Sequence, residues 1–64
     1  MVKSLSEIGR IAGVSRATAS QKHKKLLNGD NSEEYKRGIV INKVNYILLN
    51  EESSGILLEA LKKQ

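Results

Sequence analysis

Apolar residues at Leu5, Ile8, Ile11 and Ala12 recur at the spacing of one helical face. Ser4 stands just ahead of them, with Glu7 three residues further on. That pair has the form of a capping box, in which the hydroxyl satisfies an orphan N–H and the carboxylate reaches back. Gly13 follows the run, and glycine there suits the left-handed residue that commonly ends a helix. The spacing therefore predicts a helix over 4–12. Val14 is a lone apolar residue in a turn, and Ser15 is a second cap. A second helix then runs from Arg16 to Leu27 and stops at Asn28-Gly29. Its inward face is Ala19, His23 and Leu26 or Leu27; its outward face carries Arg16, Ala17, Ser20, Gln21 and Lys24.

The pattern changes after residue 28. Residues 28–38 are polar and rich in turn formers, which predicts a loop with room for one helical turn at Ser32–Tyr35. Residues 39–49 are β-branched and aromatic, which favours strand over helix. They read as one longer strand or as two short strands about a turn at Asn42-Lys43. Asn50 is a third cap, with Glu51 and Glu52 in the first turn of a last helix and Lys62 and Lys63 in its final turn. Ile56, Leu57, Ala60 and Leu61 form its apolar stripe, and Gly55 weakens it by about 1 kcal/mol relative to alanine. The expected fold is one domain over 1–64, mainly α with a small β element. It has a helix pair at the N-terminus, a hairpin or dimerising strand after it, and a short C-terminal helix.

Length narrows the function. A chain of 64 residues buries only about 60% of the surface that its unfolded form exposes. It has no Cys, so neither disulfides nor thiolate metal sites staple it. It has no Trp or Phe and two Tyr, Tyr35 and Tyr46, so aliphatic residues build the core. This composition argues against an enzyme with a deep cleft and for a small binding domain. There is one His, and the adjacent pairs Glu33-Glu34 and Glu51-Glu52 diverge on a helix rather than forming an acid–base pair. No metal site, cofactor or small-molecule effector is expected. No apolar run has the length of a signal peptide or membrane span, since Ile39–Ile41 and Tyr46–Leu49 are the longest. With the lack of Cys, this fits a cytoplasmic, nucleoid-associated protein and no membrane partner.

Charge sharpens the picture. The net charge is +4. Residues 1–28 hold Lys3, Arg10, Arg16, Lys22, Lys24 and Lys25 against Glu7 alone, whereas in residues 29–64 the acids slightly outnumber the bases. A concentrated positive field attracts polyanions, and nucleic acid is the commonest of these in a cytoplasm.

The run LSEIGRIAGVSRATAS, residues 5–20, resembles the helix-turn-helix of the lactose-repressor family and of small phage and plasmid repressors. Leu5 and Ile8 stand at core positions of the first helix, Gly9 at the small-residue position where the helices meet, and Ala12-Gly13-Val14-Ser15 at the turn. Thr18 and Ser20 match hydroxyl positions of the second helix. Taken over the helix pair Leu5–Leu26, the resemblance covers about a third of the chain and implies sequence-specific binding of double-stranded DNA. It implies that Arg16, Ala17 and Gln21 read base edges in the major groove, and that Ser15, Thr18 and Ser20 contact phosphate. Lys22, Lys24 and Lys25 match no family position and are phosphate candidates by charge alone. The match breaks at His23, where the family pattern has an apolar residue; a partly interior, hydrogen-bonded His23 is expected. The family's hinge helix and sugar-binding domain have no counterpart in these residues. Segment 39–49 suggests instead a winged variant, with Lys36, Arg37 and Lys43 touching DNA from the hairpin, or a strand that pairs with its twin.

A single recognition helix makes few contacts, so a homodimer on a palindromic operator is expected. Its interface would draw on Ile47, Leu49, Ile56, Leu57, Ala60 and Leu61, unless these cover the helix pair instead. The leading expectation is a small transcriptional regulator, most simply a repressor. The alternatives are an accessory DNA-binding protein for excision, partition or replication, and a protein-interaction module such as an antitoxin or inhibitor.

Overall fold

A computed structural model describes residues 2–30 and 32–63. In chain order the elements are β1 (Lys3–Ser4), α1 (Leu5–Ala12), α2 (Arg16–Leu27), α3 (Ser32–Arg37), β2 (Ile39–Lys43), β3 (Tyr46–Leu49) and α4 (Glu51–Lys62). The chain is mainly helical, with a small antiparallel sheet in the order β1-β3-β2 and a C-terminal helix. Among the described residues no helix is long and apolar enough to cross a membrane.

The caps act where the spacing placed them. Ser4 Oγ accepts from the Glu7 N–H, Ser15 Oγ from Thr18 N–H and Asn50 Oδ1 from Ser53 N–H. Each satisfies a donor that the first turn leaves free. Among the described residues only the hydroxyl half of the box at Ser4 forms, since the Glu7 carboxylate accepts no bond from the Ser4 N–H. Gly13 sits at φ 77°, and its N–H closes α1 onto the carbonyls of Gly9 and Arg10. Gly9 is small because the turn passes over it: a Cβ there would lie 3.1 Å from the Val14 carbonyl oxygen and 3.2 Å from that of Ser15.

Leu5, Ile8, Ala19, Tyr35, Leu49, Leu57 and Leu61 form the core, so α1, α2, α3, β3 and α4 each contribute to one cluster. Ile11 does not join it and is 53% exposed. At about 100° per residue it lies roughly a quarter-turn or more from the centre of the stripe made by Leu5, Ile8, Gly9 and Ala12. The polar segment after Asn28 holds more helix than expected, since α3 runs the full length of Ser32–Arg37; Asn31 lies outside the described residues. Segment 39–49 resolves into two strands, but the turn is at Val44-Asn45. Asn42 and Lys43 are paired residues, opposite Ile47 and Tyr46. Between Ile39 and Ile41 the register shifts, as a bulge would produce. The two-residue β1 was not expected; Lys3 and Ser4 pair with Leu49 and Leu48. With a neighbour on either side, β3 is the middle strand.

His23 is inside, more fully than the partly interior position expected of it. It is 2% exposed, and its Nδ1 is hydrogen-bonded to the hydroxyl of Tyr35, itself 1% exposed. Nε2 is buried and has no partner among the described residues. Burial, with Lys24 nearby, lowers the His23 pKa below 6.5, and burial raises that of the Tyr35 phenol. The unfolded chain therefore binds a proton near pH 6.5 that the folded chain refuses. Stability is full above that pH and falls as pH drops below it, until the lowered folded-state pKa is reached. Urea midpoints measured between about pH 7.5 and pH 5.5 should decline in the wild type. The decline should be flatter in His23→Gln; equal slopes would assign the effect to other groups.

Candidate nucleic-acid interface

The outward side of α2 is polar and basic because its apolar residues are drawn to the other side. Ala17, Gln21, Lys24 and Lys25 are exposed along it, and Arg16 is exposed at its first turn. Ser20 and Thr18 are half-buried at its margins. Lys22 is also half-buried and lies off this face. The hydroxyls of Ser15 and Thr18 are 3.0 Å apart and bonded to each other, so the capping that starts α2 already engages both.

The β2–β3 hairpin stands beside this helix. Arg16 Nη2 donates to the Asn45 carbonyl oxygen at 3.5 Å, a long contact at the outer limit of a hydrogen bond. It joins the start of α2 to the hairpin turn. A groove of about 390 Å3 separates the two elements further along, with His23, Lys24 and Leu27 on the helix wall and Asn42, Lys43 and Val44 on the hairpin wall. Lys24 and Lys43 thus give both walls positive charge. Val44, at the tip, is 95% exposed. An aliphatic side chain so fully solvated has no packing role within the chain.

Two sets of expected residues separate here. Lys43 adjoins the hairpin tip, but Lys36 and Arg37 end α3 at the hairpin's base. The five residues of β2 put roughly 17 Å between base and tip, so Lys36 and Arg37 are not tip contacts. Of the residues expected at a dimer interface, Leu49, Leu57 and Leu61 are 0%, 0% and 4% exposed and belong to the monomer's own core. Ile47 lies on the middle strand and is half-buried against that core. Ile56 and Ala60 border an open groove along α4, and Ile47 lines the groove between α2 and the hairpin. Val44 and Asn45 are the residues that sequence reasoning missed. The hairpin turn has no glycine and no positive φ, so the usual signature of a tight turn is missing.

The site offers cations, amides and an exposed apolar tip. The single histidine is buried, and no group of metal-binding side chains occurs among the described residues. No protein-family model, curated protein or solved structure matches the chain.

Proposed function

We propose that the chain binds double-stranded DNA, with α2 as the recognition helix of a helix-turn-helix and the hairpin as its wing, and that it acts as a small transcriptional regulator. One observation carries the reading: the exposed basic face of α2 and the exposed hairpin tip adjoin, linked by the Arg16–Asn45 contact. A major groove about 12 Å wide admits a helix, and a neighbouring hairpin meets the flanking backbone or minor groove. Arg16 spends one of its five donors on Asn45 and keeps others for a guanine edge. Gln21 suits adenine, and Ala17 suits a thymine methyl group. Lys24 and Lys43, one on each wall of the groove between helix and hairpin, would neutralise phosphates.

Selection of bound fragments from a random DNA pool tests this directly. A recovered consensus that a mobility shift reproduces supports the reading. No retarded fragment even at low salt sinks it and points to a protein partner. On the selected site, Arg16→Ala should cost about 1–3 kcal/mol and relax choice at one base pair, while random DNA binds as before. Lys24→Ala should weaken both alike and reduce the salt slope by about one. Equal losses on selected and random DNA for Arg16→Ala would remove it from base reading.

A further inference from the structure

A second feature lies outside the α2 face. A groove of about 620 Å3 runs along the outer side of α4, lined there by Glu52, Gly55, Ile56, Glu59, Ala60 and Lys63. Leu26 of α2 forms its other wall. The spacing of the six is three, one, three, one, three, which is one continuous helical stripe. Its centre holds Gly55, Ile56 and Ala60 with one acid, Glu59, its N-terminal end is acidic and its C-terminal end basic. Among the described residues, Glu52, Glu59 and Lys63 make no ion pair within the chain.

Gly55 is the second observation. A Cβ built on it meets nothing within 4 Å, so no neighbour inside the chain requires glycine. Its φ is not positive, so no backbone conformation requires it either. Yet it weakens α4 by about 1 kcal/mol relative to alanine. Gly55 leaves room there for a close approach from outside the chain.

We propose that this stripe is the interface of a two-fold homodimer in which α4 packs antiparallel against α4 of a second copy. The order of charge along the stripe identifies the occupant. Turned end for end about an axis between Leu57 and Leu58, the stripe meets itself with Glu52 opposite Lys63 and Gly55 opposite Ala60. Ile56 then lies against the aliphatic stem of Glu59. The Glu52–Lys63 pair occurs twice by symmetry, as an isologous contact demands. A parallel arrangement would set Glu52 on Glu52 and Lys63 on Lys63. Glycine opposite alanine lets the backbones approach closely. The two Glu59 carboxylates come near each other beside the axis, and the helix is only roughly 18 Å long, so the dimer is weak. Its dissociation constant is expected on the order of 0.1 mM. This association is independent of DNA binding, and its test contains no DNA.

Sedimentation equilibrium on the full chain, up to about 1 mM, provides the readout. The wild type should shift from 7.1 kDa toward twice that mass as concentration rises. Gly55→Leu should stay monomeric throughout while its thermal midpoint rises, because leucine strengthens the helix and blocks the approach. Glu52→Lys and Lys63→Glu should each weaken association about fivefold or more, and the double exchange should restore it, since it only reverses the sense of each pair. A wild type that remains monomeric throughout, unimpeded association of Gly55→Leu, or a double exchange no better than the singles would each overturn the proposal.

Discussion

Gly38→Ala should lower the stability of the fold by about 1–3 kcal/mol or more, a large fraction of what a chain of this length has. Gly38 connects α3 to β2 at the N-terminus of α4. Its carbonyl accepts from Asn50 N–H at 2.7 Å. A Cβ at this position would fall 1.8 Å from Ser53 Oγ, 2.4 Å from Asn50 Oδ1 and 2.6 Å from Ser53 Cβ. Neither neighbour can simply swing aside. Ser53 Oγ donates to the Tyr35 carbonyl at 2.7 Å, and Asn50 Oδ1 caps α4. Relief therefore costs the cap, the buried bond to Tyr35 or a backbone shift, each about 1–3 kcal/mol. A chain of this length has a total stability of roughly 3–10 kcal/mol. Urea unfolding followed by circular dichroism at 25 °C should show the lowered midpoint directly. A cooperative transition within about 1 kcal/mol of wild type would mean that Gly38 has room the structure does not give it.

The second large effect separates two neighbouring residues. Leu57→Ala should cost about 2–5 kcal/mol, because Leu57 is 0% exposed at the centre of the core and alanine leaves a cavity. Ile56→Ala should cost much less, since Ile56 is only partly buried beside the open groove. Urea unfolding at low micromolar concentration keeps self-association out of the comparison. Similar midpoints for the two variants would mean that the division of α4 into an inner and an outer side is wrong. The same pair also distinguishes core from interface. Ile56→Ala should reduce association while leaving the fold intact, whereas Leu57→Ala should reduce the folded population itself.

The helix pair was legible because its signals are short-ranged. A cap acts over three residues, as Ser4 to Glu7, Ser15 to Thr18 and Asn50 to Ser53 all do. The left-handed Gly13 and the crowded Gly9 belong to one turn. The exposed polar side of α2 followed from the same logic, since Ala19 and His23 mark the buried side. Placement of the hairpin was not legible. Lys43 reaches the neighbourhood of Lys24, and Asn45 that of Arg16, only because β3 is held between β1 and β2. The two-residue β1 has no pattern of its own and exists as a partner of Leu48 and Leu49. Likewise no local feature marks Gly38 as the point where a distant serine passes.

Helix α4 shows where the two sources of information part. Its start at Asn50, its length and its apolar character are written within a few residues of one another. Ile56, Leu57, Ala60 and Leu61 read along the chain as a single stripe, since all four lie within one broad arc. Packing split that stripe: Leu57 and Leu61, with Ser53 and Ser54, turned toward Tyr35 and Leu49, and Ile56 and Ala60 were left beside a groove. Helix propensity and capping depend on neighbours four residues away or fewer, and so any reader of the chain can find them. Which side of a helix is covered depends on elements tens of residues distant, and only their assembly around one core decides it.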